Sequence, residues 1–309
     1  EEPMKENKSL FLPSVVEGKK PLLGIVGHGY VGSAVESSFG ANFERFIVDT
    51  KIGTNIDQLI DAQPHITFVC LPTPMSDSGR INATHVEDAV LKLMSRTKSA
   101  IILKSTVTPD IIERIIRSFN HQEDFHRFVY VPEFLKENSS VEDYLNPEFM
   151  IMGGMDSSLS ELLTIYEKST HIVLPKGNVY MMNPVEASFV KYGINTFLAL
   201  KVTFFNQLFD VMTTDAGGAV DPWVVSKAFL ADKRLGNSHW RVPGPDGRRG
   251  FGGSCFPKDL SAFINYTSKM TLLNEVKEVN DVYRSEYELS EREEEQNVNY
   301  GQAEKEQQD

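Results

Sequence analysis

Cysteine is scarce in this chain of 309 residues: Cys70 and Cys255 are its only two. Two thiols so far apart cannot build a disulfide framework, which excludes the small disulfide-stapled class and suits a reducing compartment. A basic excess is also missing. The formal net charge is −12, so the positive footprint that a phosphate backbone requires is not there, and no nucleic-acid partner is expected. Long uninterrupted apolar runs are lacking too. The nearest approach, residues 189–212, is broken by Lys191, Asn195, Lys201, Asn206 and Asp210, which argues against a bilayer span and leaves a buried or interface helix. The apolar stretch 9–16 meets Pro13, Ser14 and Glu17 too early for a signal sequence. These absences together predict a cytoplasmic protein with no membrane partner.

What is present is ordinary globular material, with 41% hydrophobic and 24% charged residues, enough for two domains with real cores. Residues 1–20 are polar and without sustained periodicity, and read as a flexible N-terminal arm. Residues 286–309 hold nine acidic and two basic side chains, and read as an acidic tail, a solvated helix end followed by disorder. Between these ends, apolar runs at 21–26, 45–48, 66–71, 100–103 and 128–131 alternate with amphipathic stretches at 31–39, 55–62, 84–95 and 109–119. A further run at 149–152 adds a sixth candidate strand. Such alternation predicts an α/β fold, a doubly wound parallel sheet with helices on both faces, over residues 21–183. From Pro184 the pattern turns all-helical, beginning with one long helix to about Met212, so a second domain is placed at 184–285.

After the first predicted strand comes Gly27-His28-Gly29-Tyr30-Val31-Gly32. This GxGxxG spacing permits a tight turn, close approach of backbone to a pyrophosphate, and close helix–strand packing. The helix that follows offers free N–H groups and a favourable dipole to the anion. Asp49 ends the second strand, where a carboxylate can accept from both ribose hydroxyls of NAD and repel the extra phosphate of NADP. The expected cofactor is therefore NAD. No metal set is apparent.

Three other features bear on chemistry. Cys255 lies between a glycine cluster and Pro257, a probable helix start, where backbone N–H groups favour a thiolate nucleophile; a buried inert thiol is the other reading. Lys191 and Asn195, four apart on the long helix, share a face and can polarise an oxygen on a reacting carbon, or form a polar stripe. Glu133, in Val131-Pro132-Glu133-Phe134-Leu135-Lys136-Glu137, follows a strand end, where open α/β sheets bind ligands. Cys70, inside a strand, reads as buried and inert.

Taken together, the turn at 27–32, the loop Cys70-Leu71-Pro72-Thr73-Pro74, Lys104-Ser105-Thr106-Val107, Pro132-Glu133-Phe134-Leu135, Glu186 with Lys191 and Asn195, Arg234-Leu235-Gly236, and the string FGGSCFPKD at 251–259 resemble the UDP-glucose/GDP-mannose dehydrogenase family. The resemblance runs from about residue 22 to about 265. It implies a Rossmann-like NAD-binding domain and a helical central domain around the long helix. It also implies a four-electron oxidation of a nucleotide sugar, UDP-glucose before others, through a thiohemiacetal and thioester on Cys255. Lys191 and Asn195 would stabilise oxyanions, and Asp259, Thr106 and Glu133 would attend the hydrolytic water. Gly27, Gly29, Tyr30, Val31, Gly32, Asp49, Pro72, Thr73, Thr106 and Glu137 would bind the cofactor. Phe134, Leu135, Lys136, Glu137, Lys191, Asn195, Phe251, Gly252 and Gly253 would meet the substrate, joined by Arg234 from the neighbouring subunit of a homodimer built on the long helix.

Members of this family usually continue into a second nucleotide-binding domain, which this sequence does not include. The turn-rich stretch 239–249 could supply replacement contacts through Arg241, Arg248 and Arg249, or be a mobile surface loop. Two rival readings stay open: a β-hydroxyacid-type two-electron dehydrogenase that needs no cysteine, and a protein that binds NAD and sugar nucleotide without turnover.

Overall fold

A computed structural model of the chain describes residues 9–12, 19–135 and 141–301. Seven strands form one sheet: β1 (Leu22–Val26), β2 (Glu44–Val48), β3 (Ile66–Val69), β4 (Ala100–Leu103), β5 (Phe128–Tyr130), β6 (Met150–Gly153) and β7 (Val179–Met182), in the order β2-β1-β3-β4-β5-β6-β7. The chain leaves β1 to pair with β2 on one side and β3 on the other, so the strand order reverses at β1, and all three run parallel. Ligands of open α/β sheets gather outside the carboxyl ends of the strands at such a point. One pair departs from the parallel expectation: β5 and β6 are antiparallel, joined only at Tyr130 opposite Gly153. Apolar runs report burial and not direction, so this reversal leaves no local mark in the residue pattern.

Register explains the core. Leu23 lies beside Ile66 and Ile66 beside Ala100, while Ile25, Phe68, Ile102 and Val129 form a parallel row two residues on. With a side-chain period of two, both rows project from the same face. They pack against helix α1 (Tyr30–Ser38) through Ala34 and Val35, and with Leu159, Leu162, Ile165 and Tyr166 of a later helix, Asp156–Ser169. Between these lie α2 (Ile56–Asp61), α3 (Thr84–Arg96), α4 (Pro109–Arg117), α5 (Gln122–Arg127) and α6 (Val141–Leu145), so the later helix is α7. Local chemistry starts several of them. Asn55 and Gln58 exchange side-chain-to-backbone bonds at the head of α2, and Pro109 opens α4 where its missing N–H costs nothing. Phe11 corrects the arm reading at one point: its ring is buried in this same core, and Ser9 donates to Glu161 on α7. An aromatic ring that finds apolar cover outweighs the polar composition around it.

The described residues divide into two compact units. The sheet unit takes the chain up to Thr73 and Asn82–Lys191. The helical unit takes Pro74–Ile81 and the chain from Tyr192. Helix α8 (Pro184–Asp210) passes from one into the other without a break and ends in a π-helical turn, Val211–Asp215. It is followed by α9 (Pro222–Phe229), α10 (Phe256–Tyr266), α11 (Leu272–Arg284) and α12 (Glu291–Glu295). Among the described residues no helix is long and apolar enough to cross a membrane.

Most of the described acidic tail is exposed, but one of its acids is not. Glu293 on α12 is wholly buried, and so are Val298 and Tyr300. Composition averages over the nine acids and misses that one of them meets the buried guanidinium of Arg284. Residues 302–309 lie outside the described set.

Candidate active site

In the sheet unit, the turn after β1 is shaped by what its neighbours exclude. Gly27 has φ +90°, and a Cβ there would stand 2.8 Å from the Cys70 carbonyl oxygen. At Gly32 a Cβ would stand 2.0 Å from the carbonyl oxygen of Gly27, so α1 can enter this close to the turn only with glycine. Gly29 faces open space, and no side chain caps α1 behind it. The head of a nine-residue helix, where the dipole favours an anion, thus adjoins the open glycine turn. Tyr30 and Val31, the other residues expected here, form the first turn of α1.

Asp49 closes β2 and does two things at once. Its carboxylate accepts from the N–H of Lys51 and of His28, each at 2.8 Å, and these bonds, Lys51 first, hold it below the usual carboxylate range. The bond to His28 fixes the glycine turn itself, a coupling the sequence does not announce. Cys70, just past β3, packs against the core, and burial pushes its thiol up to about 12, as an inert thiol requires.

The loops after β3 and β4 are stitched together. Ser105 donates to the Leu71 carbonyl at 2.7 Å and Thr73 to the Thr106 carbonyl at 2.9 Å, which aligns Pro72, Thr73 and Thr106 at the carboxyl edge of adjacent strands. Glu133, past β5, accepts from the backbone N–H of Phe134 (2.8 Å) and Leu135 (3.2 Å), and its other oxygen pairs with Lys104 at 3.1 Å. Lys191 donates to the Glu133 backbone carbonyl, with its ammonium 4.9 Å from the centre of the Phe134 ring. Sequence reasoning passed over Lys104 as a site residue; a lone lysine ending an otherwise apolar strand was its signal. Lys136 and Glu137 lie outside the described residues.

In the helical unit, Cys255 is the N-cap of α10, half-exposed, with no side chain capping the helix and its sulfur 3.6 Å from the Ser254 hydroxyl. One turn on, Asp259 is buried between two donors, the Asn195 amide at 2.6 Å and the Lys258 ammonium at 2.7 Å. Lys258 was not singled out from the sequence, where it reads as a helix-start cation. Phe251, Gly252 and Gly253 lead into this helix. Arg234 is 88% exposed and forked on Asp232, two residues back. The stretch 239–249 is not a bare supply of cations: Arg249 binds Asn206 and Asp210, Arg248 reaches the Glu288 carbonyl, and Arg241 is exposed beside the neighbouring Trp240 ring.

Comparison with known proteins matches residues 44–170 to the NAD binding domain of the UDP-glucose/GDP-mannose dehydrogenase family, and residues 185–282 to its central domain. This chain belongs to that family. UDP-glucose 6-dehydrogenase of Rickettsia felis is 33% identical over 201 residues, 64% of this chain and 42% of that protein. The Haloferax volcanii UDP-glucose 6-dehydrogenase is 31% identical over 235 residues, 72% of this chain and 52% of its own. Among solved structures, a UDP-glucose dehydrogenase from Pyrobaculum islandicum superposes with a TM-score of 0.66 at 27% identity, over 87% of this chain and 70% of that one. The chain spans about half the length of the relatives it matches. The sheet unit carries the NAD-binding domain of this family, and the open Gly29 backbone, the uncapped α1 and the oriented Asp49 carboxylate suit that cofactor's pyrophosphate and ribose.

Proposed function

We propose that this chain carries the chemistry of a nucleotide-sugar 6-dehydrogenase, oxidising the C6 alcohol of a UDP-hexose, UDP-glucose first, to the carboxylate. The observation that supports this best is the head of α10: a half-exposed Cys255 at the N-cap, with Asp259 one turn later between Asn195 and Lys258. A two-electron alcohol dehydrogenase has no use for a thiol there. The names of the relatives support the choice of sugar.

NAD, when bound, would supply the acceptor for the hydride leaving C6 in each oxidation, and Gly27, Gly29, Tyr30, Val31, Gly32, Asp49, Pro72, Thr73 and Thr106 would hold it. The chain's own residues do the rest. Lys191 and Asn195 stabilise the negative oxygen on C6 as the alcohol proton departs. The Cys255 thiolate then adds to the aldehyde carbon, forming a C–S bond and keeping a reactive intermediate on the protein. Loss of hydride from that adduct leaves a thioester. Water attacks its acyl carbon, the C–S bond breaks to return the thiolate, and of the two protons the water gives up one passes to Asp259 and the other to solvent, with Thr106 and Glu133 assigned to that water. Phe134 and Leu135 of the sheet unit, and Phe251, Gly252 and Gly253 of the helical unit, are each assigned to the sugar. Two free cysteines suit a reducing cytoplasm.

We also assign a homodimer to α8, because Phe197, Phe204 and Val211 are exposed at seven-residue spacing along it and its π-helical end. Arg234, exposed on its own subunit, would then serve the partner's substrate. Sedimentation equilibrium reads this directly: a monomer at micromolar concentration removes the assignment.

The function is tested by NADH released per molecule of limiting UDP-glucose. Two are expected; one per sugar, or none despite NAD binding, overturns the reading. Cofactor choice is tested at Asp49. Asp49→Asn removes the charge that meets the ribose, and about a tenfold loss of NAD affinity is expected with a smaller loss for NADP, by titration calorimetry. Equal losses for both would show that Asp49 acts on the turn through His28 alone.

A further inference from the structure

The loop that delivers Cys255 to α10 is held from below by side chains that the oxidation itself does not employ. Asn280 on α11 accepts from the Phe251 N–H at 2.7 Å and donates to the Phe251 carbonyl at 3.0 Å. Asn206 accepts from the Gly250 N–H at 3.0 Å. The last anchor before the cysteine comes from α12: Oε1 of Glu293 accepts from the Gly253 N–H at 3.0 Å. The same oxygen takes Nη2 of Arg284 at 3.1 Å and the hydroxyl of Tyr300. Oε2 takes the Ser290 N–H at 2.7 Å and its hydroxyl at 2.9 Å. Gly252 lies flat on this pair, for a Cβ there would stand 2.0 Å from Nη2 of Arg284 and 2.6 Å from Oε1 of Glu293.

Five donors converge on one fully buried carboxylate, and one of them, the Gly253 N–H, lies two residues before the cysteine. A buried charge with all its lone pairs engaged costs little to keep and much to disturb. Burial alone would raise this carboxyl, but the hydrogen bonds, those from Ser290 foremost, hold it at about 2. Its contribution to stability is therefore complete above the ordinary value of 4.5 and is lost only as pH falls toward about 2. Across the neutral range the clamp is charged and closed.

We propose that Glu293, with Arg284 and Tyr300, is a positioning residue for Cys255: it fixes the backbone of Gly252 and Gly253 and so holds the thiol at the N-terminus of α10. This rests on the reading of Cys255 as the nucleophile. A helix N-terminus favours a thiolate only while the sulfur stays within its first turn. Without the clamp the loop is free to carry the sulfur away.

The test is Glu293→Gln in the full chain. All five partners are donors, so the amide –NH₂ must confront either Ser290 or the Gly253–Arg284–Tyr300 side. The readout is the rate of Cys255 alkylation by iodoacetamide at pH 7, followed by mass spectrometry of the cysteine peptide. A fall of about fivefold or more is expected, with Tyr300→Phe giving a smaller fall in the same direction. Val298→Ala, which loosens the same segment without touching Gly253, is expected to leave the rate unchanged or raise it through opening. An unchanged or faster rate in folded Glu293→Gln overturns the proposal. Should that variant not fold, Tyr300→Phe decides in the same terms. Because alkylation needs no turnover, a chain that makes no NADH yet shows the fall sinks the dehydrogenase reading and keeps the clamp.

Discussion

Cys255→Ser is expected to abolish uronate formation, with a fall on the order of 10³-fold or more in the full four-electron turnover, while NAD affinity stays within about twofold. The contrast follows from where the residue sits. Cys255 heads α10 in the helical unit, whereas the glycine turn and Asp49 belong to the sheet unit, so the substitution removes the proposed nucleophile without replacing any group assigned to the cofactor. Serine keeps the shape but is scarcely ionised at neutral pH, so the aldehyde carbon gains no covalent partner. Rapid-quench analysis should show no protein-bound acyl species, and aldehyde at most. Wild-type rates in the variant would transfer the assignment to a dehydrogenase that works without covalent catalysis.

The second large effect is expected at Lys191. Lys191→Ala should lower kcat by about 10²- to 10³-fold, the usual consequence of losing one donor aimed at a developing oxyanion. Lys191 is 5% exposed, and among the described residues its ammonium is held by the Glu133 carbonyl and the face of Phe134 rather than by a carboxylate. Losing it also frees the Glu133 carbonyl, and part of the fall should therefore appear in the hydrolytic half of the reaction. Lys191→Arg is expected to rescue poorly, because the planar fork is broader than a point ammonium and meets the same ring and carbonyl. Single-turnover rates for the alcohol and aldehyde steps separate the two contributions. A change confined to KM would remove Lys191 from the chemistry.

Much of this fold could be read from local pattern. The apolar runs became β1 to β6 within a residue or two, and the helical change at Pro184 became the start of α8. What escaped was non-local. The antiparallel β5–β6 pair carries no periodic signature, and the edge strand β7 is a run of only four apolar residues, exposed at Tyr180 and Met181, that ends two residues before Pro184 and the helical pattern. In the site, the types of residue were legible and their partners were not. Nothing near Glu133 in sequence points to Lys104, and nothing near Gly253 points to Glu293, forty residues away in an acidic run. Local composition describes what a segment is made of; a buried pair depends on what another segment brings to it.

The unbroken course of α8 has a consequence for how such a site can change. Lys191 and Asn195 lie one turn apart on a single helix, so their axial offset, about 6 Å, is set by backbone hydrogen bonds and by no side chain. The helix acts as a ruler with fixed graduations. Point substitutions can swap the group at either mark but cannot move the marks, whereas one residue inserted between them would swing Asn195 about 100° around the axis, away from Asp259. Under the proposed function, retuning to a larger or smaller reacting group falls to the loops assigned to the substrate, because the graduations themselves do not slide.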